Sequence, residues 1–247
     1  MKPTGNTILV TGGGSGIGRA LAQRWHDQGN TVIVAGRRQA ALDETIAGRP
    51  NMFAITLDVE STATIESFAE KLIADHPGLN VLVNNAGVMD REDLTARRDL
   101  TTAETTIVTN LLGPIRLTNA LIDHLRGQPD PAIVNVSSGL AFVPLPSGPT
   151  YSATKAAIHS YSVAMREQLR GQVEVIELAP PGVRTDLTPG QAMRDGYMPL
   201  DDYADEVMSL FGQQPTPEEV LVDNVRPLRN AEAQGNFAAI LARLNEA

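Results

Sequence analysis

A doubly wound α/β fold, in which helices cover both faces of a parallel sheet, is the architecture that this sequence predicts. Short β-branched apolar runs alternate along the chain with amphipathic helical patterns, which indicates strand–helix–strand units around a buried sheet. The first apolar run passes directly into a glycine-rich turn. The chain has 247 residues, 42% of them hydrophobic, so we expect a single domain over residues 1–247 with one sizeable core.

The elements follow one another in a regular order. Strands are predicted at residues 7–10, 31–35, 52–58, 81–84, 132–137 and 173–179. Helices are predicted at residues 18–28, 39–47, 62–76, 103–126 and 151–170. This order is typical of a Rossmann-type sheet, where ligands bind outside the carboxyl ends of the strands. A proline-rich stretch interrupts the alternation, and within it we expect residues 183–217 to form a substrate lid.

The composition excludes several kinds of partner and site. The net charge of −9 argues against a nucleic-acid or anionic-membrane partner, because an acidic surface offers few cations to either. The chain has no cysteine, which excludes disulfides and thiolate metal sites and is consistent with a reducing compartment. No apolar run is long enough to span a bilayer or to act as a secretion signal, so we expect a cytoplasmic protein.

The glycine-rich turn predicts a phosphate site. Residues 11–18 read Thr-Gly-Gly-Gly-Ser-Gly-Ile-Gly and lead from the first strand into the first helix. Main-chain N–H groups at such a turn bind anions, and glycine lets the backbone approach phosphate oxygens closely. The predicted ligand is a dinucleotide pyrophosphate, although a tight strand-to-helix connection alone would also explain the glycines. The candidate binding residues are Gly12, Gly14, Ser15, Gly16, Ile17 and Gly18.

Two arginines follow the second strand. Where a carboxylate often binds the adenosine 2′-hydroxyl, this chain has Arg37 and Arg38. Guanidinium groups at a helix start oppose its macrodipole, whereas a 2′-phosphate would supply the anion that they suit. We therefore expect NADP(H) to be preferred over NAD(H). The alternative is that both are solvated loop residues.

The third and fourth strands end in further candidate cofactor-binding residues. Asp58 and Val59 could address the adenine edge, although Asp58 could equally cap the helix at residues 62–76. After the fourth strand, Asn85, Ala86 and Gly87 would let the backbone lie near the adenine ribose.

The fifth strand introduces residues that can do acid–base chemistry. It ends at Ser137 and Ser138, and Tyr151 and Lys155 follow at i and i+4 on one helical face. A free phenol has a pKa near ~10 and is a poor base at neutral pH, but a neighbouring cation favours the phenolate. One charge at about 4 Å contributes about 4 kcal/mol at an effective dielectric constant of about 20, enough to lower the pKa by about two or three units.

Together these motifs resemble those of the short-chain dehydrogenase/reductase family, over about residues 5–190. The family's T-G-x-x-x-G-x-G turn, N-N-A-G segment and Y-x-x-x-K pair are matched by residues 11–18, 84–87 and 151–155. Its catalytic Asn and Ser correspond to Asn110 and Ser138. The P-G segment that contacts the nicotinamide corresponds to Pro181, Gly182, Val183 and Thr185.

Within the family, residues 138–145 and 153–160 resemble the oxidoreductase branch encoded in bacterial loci for D-alanylation of lipoteichoic acid. The family's usual D-G-G near the carboxyl end is absent, and a last strand at residues 219–222 and a helix over 231–245 are expected instead.

The resemblance implies an oxidoreductase that interconverts a carbonyl and a secondary alcohol. In this interpretation Tyr151 is the general acid or base, and Ser138 hydrogen-bonds the substrate oxygen. Lys155 holds the nicotinamide ribose and lowers the Tyr151 pKa. Asn110 bends its helix and anchors a water that relays protons. The family also implies a homodimer or homotetramer formed through the helices at 103–126 and 151–170.

Two other functions remain as alternatives: a dinucleotide-binding sensor or interaction protein without catalysis, and a sugar-nucleotide epimerase or dehydratase. No metal site is expected, because the histidines lack ligand spacing. An apolar or aromatic substrate is suggested by residues near the expected nicotinamide position. These residues are Leu140, Phe142, Val143, Leu145, Met193, Tyr197 and Met198. Arg91, Arg97 and Arg98 are interpreted as solvated, with a role at the pocket mouth as the alternative.

Overall fold

The computed structural model describes residues 1–245 and shows a seven-stranded parallel sheet in the order β3-β2-β1-β4-β5-β6-β7. The strands are β1 Thr7–Thr11, β2 Thr31–Gly36, β3 Met52–Thr56, β4 Leu79–Asn84, β5 Ala132–Val136, β6 Glu174–Leu178 and β7 Glu219–Val220. The order reverses direction between β1 and β4, which is where a Rossmann-type sheet places its ligand crevice. The predicted fold class is confirmed.

Helices cover both faces of this sheet. They are α1 Gly16–Asp27, α2 Gln39–Ile46, α3 Thr62–Asp75, α4 Thr101–Ile107, α5 Gly113–Arg126, α6 Pro149–Gln168, α7 Leu200–Phe211, α8 Arg226–Arg229 and α9 Phe237–Asn245. Every helix within residues 1–245 is too short or too polar to cross a membrane.

Alternation along the strands divides the core into two layers. Ile8 and Val10 of β1 pack on one face of the sheet with Trp25 of α1, whereas Leu9 packs on the other with α3 and α5. Trp25 is buried and meets Phe211 of α7 edge to face, as expected for a packing residue. The two layers fix the carboxyl ends of β1, β4 and β5 side by side.

Several predicted boundaries were wrong. The helix expected at 103–126 is three pieces, because a π-helical turn at Val108–Leu112 separates α4 from α5. Asn110 lies in that turn, in keeping with the bend that the resemblance implied. The last strand is confirmed at Glu219–Val220, but the final helix starts at Phe237, not at residue 231, and α8 precedes it.

The carboxyl-terminal part packs onto the loop that follows β5. Val143 of that loop is buried with Ala231 and with Ile240 of α9. Gly139, next to Ser138, is tightly enclosed here: a Cβ at Gly139 would stand 2.6 Å from Leu228 Cδ1. The end of the chain therefore holds the segment that carries Ser138.

Candidate functional site

A cavity of about 520 Å³ lies at the carboxyl edge of the sheet, and most of the predicted site residues line it. They are Gly12, Ser15, Gly16, Ile17, Gly18, Arg37, Arg38, Asn85, Ala86, Gly87, Ser138, Tyr151, Lys155, Pro181, Val183 and Thr185. We call it the main cavity. Residues far apart in the sequence meet here because parallel strands all end at the same edge.

The glycine-rich turn forms one wall of the main cavity. Gly12 and Gly16 have φ values of +66° and +51°, which favour glycine. A Cβ at Gly18 would stand 2.4 Å from the carbonyl oxygen of Gly12, so the turn and α1 can pack only without a side chain there. The Asn85 side-chain amide donates to the Thr11 carbonyl at 2.8 Å, and Thr11 Oγ1 accepts from Asn85 N and Ala86 N at 3.0 Å each.

The start of α1 is suited to an anion. Ser15 stands at the N-cap, but its hydroxyl caps none of the main-chain N–H groups described in residues 1–245. The first turn carries no acidic side chain, and the helix dipole leaves positive charge at this end. Thr185 closes over the turn, since a Cβ at Gly16 would lie 3.5 Å from the Thr185 side chain.

The two predicted arginines differ in their surroundings. Arg37 Nη1 lies 3.0 Å from Glu60 Oε1, and the Glu60 carboxylate also accepts from Thr109 Oγ1 at 2.9 Å. Arg38 makes no ion pair with any residue in 1–245; its Nη2 lies 3.5 Å from Ser15 Oγ. Both arginines and Gly14 border a further cavity of about 290 Å³ above the end of β2. Of the two arginines, Arg38 is therefore the one whose charge no carboxylate of residues 1–245 neutralises.

Asp58 is not the helix cap. Ser61 caps α3 by accepting from Thr64 N, while Asp58 Oδ1 accepts from Glu60 N at 3.0 Å in the turn before it. The capping alternative for Asp58 is thus wrong. Val59 borders a cavity of about 160 Å³ together with Ala86 and Gly87, whereas Asp58 lines none of the cavities described in residues 1–245.

Ser138, Tyr151 and Lys155 converge in the main cavity. Tyr151 is 8% exposed and Lys155 is 5% exposed, and Lys155 Nζ lies 5.6 Å from the centroid of the Tyr151 ring. Lys155 Nζ donates to the Val136 carbonyl at 2.8 Å. The Ser138 hydroxyl accepts from Leu140 N at 3.1 Å and is close enough to the Tyr151 phenol to lower its pKa. A hydroxyl, a phenol and an ammonium, each almost fully buried, therefore lie together in the main cavity.

The expected lowering of the Tyr151 pKa is wrong. Burial raises the pKa of Tyr151 to about 12, although the hydrogen bond from Ser138 works in the opposite direction. Burial also lowers the pKa of Lys155 to about 8. Desolvation is the largest effect on both groups, and the hydrogen bond of Lys155 goes to the main chain of β5.

Asn110 connects two parts of the site. Its Oδ1 accepts from Val88 N and its Nδ2 donates to Val88 O, both at 2.8 Å, while Nδ2 also lies 3.4 Å from Thr154 Oγ1 of α6. A Cβ at Gly87 would stand 3.3 Å from Asn110 Oδ1 and 3.7 Å from Lys155 Nζ. Asn110 therefore fixes the chain after β4 close to Lys155, although it is not itself part of the cavity lining.

Residues 183–191 of the expected lid cover one side of the cavity, whereas α7 (Leu200–Phe211) packs in the core against α1. Val183 forms an isolated bridge with Met198, and Gln191 Nε2 donates to Val183 O at 2.9 Å and to Thr185 Oγ1 at 3.1 Å. The Tyr197 ring fills the space beside Gly182, where a Cβ would stand 3.0 Å from it. Arg194 Nη1 donates to the Tyr197 hydroxyl at 3.1 Å, and that hydroxyl is close enough to raise the Tyr151 pKa.

Two residues of the apolar substrate wall expected from the sequence face away from the main cavity. Phe142 packs against His159 and Arg229, and Val143 lies in the core with α9. A second cavity of about 420 Å³ shares Met89, Asp90 and Gln191 with the main cavity. Arg91 and Arg194 also line it. The lining of the second cavity is thus mixed, with Met89 and Pro189 beside the charged and amide side chains.

The three arginines of the 90s loop separate. Arg91 lines the second cavity, while Arg98 pairs at 2.5 Å with Glu92, which in turn accepts from Thr150 N at 2.9 Å. Arg97 is exposed. The sequence offered no spacing rule that distinguishes them.

Known proteins resemble the chain in sequence and in fold. A sequence model of the family described as short chain dehydrogenase matches residues 6–195. The chain is 40% identical over 249 aligned residues, 99% of it and 98% of the relative, to the uncharacterized oxidoreductase DltE of Bacillus subtilis. It is 33% identical over 175 residues, 70% of it and 71% of the relative, to an NADP-dependent 3-hydroxy acid dehydrogenase, YdfG, of Shigella flexneri.

A solved structure matches nearly the whole chain. A short chain dehydrogenase from Burkholderia cenocepacia in complex with NADP superposes with a TM-score of 0.84 at 23% identity, covering 99% of each chain. This likeness concerns the fold. With the DltE match, the resemblances that the sequence predicted are confirmed.

Proposed function

The chain belongs to the short-chain dehydrogenase family and is an NAD(P)-dependent oxidoreductase, and we propose that it reduces a small-molecule carbonyl to a secondary alcohol with NADPH. One observation carries the proposal: Ser138, Tyr151 and Lys155 meet in the cavity that the glycine-rich turn also lines. The reverse oxidation is the same chemistry run backwards. A sensor without catalysis would have no need for this convergence.

The residues of the main cavity fit a nicotinamide dinucleotide. Gly12 and Gly18 have no room for a Cβ, so the main chain of the turn stays open to the cavity, and the uncapped start of α1 faces it. In the proposed assignment the turn holds the pyrophosphate, Val59, Ala86 and Gly87 border the adenosine, and Lys155 holds the nicotinamide ribose. Pro181, Gly182, Val183 and Thr185 adjoin the nicotinamide. The dinucleotide, when bound, supplies the hydride.

Arg38 supports a preference for NADP(H) over NAD(H). Its guanidinium lacks a carboxylate partner in residues 1–245, and a 2′-phosphate accepts charge-assisted hydrogen bonds from such a group. Arg37 contributes less, because Glu60 already neutralises it. The relative from Shigella flexneri is named NADP-dependent, which favours the same cofactor here.

Tyr151 is proposed as the proton donor. With a pKa raised to about 12, its phenol is protonated at neutral pH, the form that a general acid requires. A carbonyl oxygen bound next to it accepts hydrogen bonds from Tyr151 and Ser138, which stabilise the negative charge that develops there. Lys155 stabilises the phenolate left behind, and Asn110 keeps the chain near Lys155 in place and is proposed to anchor the relay water.

The mixed lining of the second cavity suits a carbonyl substrate with both polar and apolar parts. Arg91 and Gln191 line it beside Met89 and Pro189, so we add hydrogen-bonding groups to the apolar substrate expected from the sequence. Of the segment expected as a lid at 183–217, residues 183–198 are proposed to cover it, because α7 packs in the core. A cytoplasmic location stays a prediction, as does a dimer or tetramer; Ile107 of α4 and Val163 of α6, 40% and 43% exposed, suit such an interface.

A two-part experiment tests the proposed function. Thermal unfolding is followed with NADPH or NADH, and a panel of aldehydes, ketones and oxo acids is then screened by the loss of nicotinamide absorbance. We expect stronger protection by NADPH and turnover of at least one polar carbonyl. Failure of both nucleotides to raise the unfolding temperature would contradict the proposal, and equal protection by the two would contradict the NADP preference.

A further inference from the structure

A buried carboxylate lies next to the segment that carries Ser138. Glu177 of β6 is 0% exposed, and both of its oxygens are engaged. Oε1 accepts from the Ser137 hydroxyl at 2.5 Å, and Oε2 pairs with His159 Nδ1 at 2.7 Å. Burying a carboxylate costs free energy unless it is hydrogen-bonded and paired with a cation, so Glu177 needs a positively charged partner.

The surrounding groups meet that requirement. His159 of α6 has a side chain 27% exposed, and its hydrogen bond to Glu177 raises its pKa. The other charged groups that act on it are Glu219 of β7, which also raises the pKa, and Arg229 of α8, which lowers it. Arg229 binds both oxygens of Glu219, at 2.7 and 3.0 Å. The cluster thus contains two carboxylates and, with His159 protonated, two cations.

A metal ion is not the best occupant of this cluster. Ligand atoms of His159, Glu177 and Glu219 lie within 4.8 Å of one another, a spacing that a divalent cation could bridge. However, the Arg229 guanidinium already takes both oxygens of Glu219, and the hydroxyl of Ser137 and the imidazole of His159 take those of Glu177. The positive charge is therefore supplied by the protein's own side chains.

The cluster joins the two pieces of chain that carry the proposed catalytic residues. Ser137 directly precedes Ser138, and Ser137 N donates to Leu178 O at 2.9 Å. His159 is four and eight residues beyond Lys155 and Tyr151 on α6, so all three lie on one helical face. Glu177 is bonded at one oxygen to the end of β5 and at the other to α6. These two hydrogen bonds to the Glu177 carboxylate fix the distance between the end of β5 and α6.

We propose that His159 is a positioning residue that acts through Glu177 and Ser137 to hold the Ser138 hydroxyl against the Tyr151 phenol. The proposal rests on the proposed function, because it concerns the same Ser138 and Tyr151. Protonated His159 holds the carboxylate most firmly, since it supplies both a donor and the countercharge. Loss of that proton leaves the hydrogen bond but removes the charge.

The pH dependence has a definite sign. The folded-state pKa of His159 is raised above its unfolded value, so its contribution to stability is fully present below about pH 6.5 and is lost as the pH rises through the folded pKa. We expect kcat to decrease over the same interval. The decrease is distinct from any titration of Lys155, because it disappears when His159 is replaced.

The test compares variants of the whole chain with NADPH and an accepted carbonyl. His159→Asn keeps an N–H donor near the place of Nδ1 but carries no charge, whereas His159→Leu removes both donor and charge. Ser137→Ala removes the other hydrogen bond to Glu177 with little change in volume. His26→Asn is the control, because His26 also pairs with a carboxylate, Asp27 at 3.0 Å, but lies outside the lining of the main cavity. kcat, the KM for NADPH and the pH profile of kcat are measured for each, with Tyr151→Phe alongside.

We expect His159→Leu to lower kcat about 10-fold and Ser137→Ala about 3-fold, with the KM for NADPH changed less than about 2-fold, as for loss of interactions made in the transition state. Because His159→Asn carries no charge at any pH, its kcat should equal, at every pH, the lower kcat that the wild-type protein shows at high pH. The His26→Asn control should behave as wild type.

Wild-type kcat and pH profile in His159→Leu would overturn the proposal, as would a loss in NADPH affinity equal to the loss in kcat. If Tyr151→Phe is inactive while His159→Leu is fully active, only the positioning role fails. If Tyr151→Phe retains full activity, the proposed function itself fails.

Discussion

The two sides of the main cavity are built in different ways. On the side of β1 and β2 the wall is main chain: Gly12, Gly16 and Gly18 form a turn whose N–H groups and helix start suit an anion. On the side of β5 and β6 the wall consists of side chains: Ser138 and Tyr151 line it, and behind it Ser137 and His159 hydrogen-bond Glu177. The first wall depends on local sequence, and the second depends on distant contacts.

This difference separates binding from chemistry. Changes on the main-chain side should alter which nucleotide binds and how tightly, with little effect on the proton transfer. Changes on the side-chain side should alter turnover while the nucleotide still binds.

Replacing Tyr151 with Phe should have the largest effect. The variant loses the proton donor and should lower kcat at least ~100-fold, because general acid catalysis contributes about 10²- to 10⁴-fold. NADPH protection against thermal unfolding should stay within about twofold in apparent affinity. Tyr161→Phe on the same helix is the matched control, since Tyr161 is half-buried away from the lining of the main cavity. Equal kcat values for the two variants would remove Tyr151 from the chemistry.

Replacing Arg38 with Ala tests the main-chain side. Loss of a charge-assisted hydrogen bond costs about 1.5–3 kcal/mol, so NADPH affinity should decrease by about 10- to 100-fold. NADH affinity should not change, because it has no 2′-phosphate. Arg37→Ala is the control and should have the smaller effect, since Arg37 pairs with Glu60. Binding titrations with both nucleotides measure this, and a parallel loss for NADPH and NADH would refute the phosphate assignment.

The titration of Lys155 should appear in kcat/KM for reduction. Its pKa is lowered to about 8 by burial, so the ammonium that stabilises the phenolate is present below that pH and is lost above it. We expect a plateau at lower pH and a decrease of about tenfold per pH unit above the pKa, since kcat/KM reports groups of the free enzyme.

Two lysine variants control this profile. Lys155→Met should abolish the descending limb together with most of the activity. Lys71→Met, which removes an exposed lysine paired with Asp75, should leave the profile unchanged. Survival of the limb in Lys155→Met would assign it to another group.

The smallest effect is expected for Tyr197→Phe in the lid. It removes the hydroxyl that accepts from Arg194 at 3.1 Å and that raises the Tyr151 pKa. A net hydrogen bond of about 0.5–1.5 kcal/mol corresponds to an increase of about 2- to 10-fold in the KM for the carbonyl. NADPH affinity should be unchanged. An unaltered KM for every carbonyl accepted would place Tyr197 outside the substrate site.

The sequence predicted features set by local rules. The β-branched apolar runs, which alternate with helical patterns, located the strands. The glycine spacing located the turn, because positive φ and close approach of the main chain both demand glycine. The i, i+4 spacing placed Tyr151 and Lys155 on one face. The C-terminal helix was missed by several residues, although Gly235, which has a φ of +68°, marks the break before it.

Features that depend on tertiary contacts could not be predicted. The Tyr151 pKa depends on burial, which the sequence does not report. Phe142 and Val143 follow Ser138 closely in the sequence, but they pack against Arg229 of α8 and Ile240 of α9 and not in the cavity. Glu177 reads as an ordinary acid within an apolar strand, and only the sheet register brings it to Ser137 and His159. A charged residue inside a predicted buried strand was the one available signal for this cluster.

The central claim is that a carbonyl on the side-chain wall receives hydride from a nucleotide held by the main-chain wall. The most direct measurement is the mass of the alcohol formed from an accepted carbonyl and NADPH carrying deuterium at both C4 positions of its nicotinamide. The account predicts one carbon-bound deuterium in every product molecule from the wild-type protein and almost no product from Tyr151→Phe. Product without deuterium, or equal labelled product from Tyr151→Phe, would contradict it.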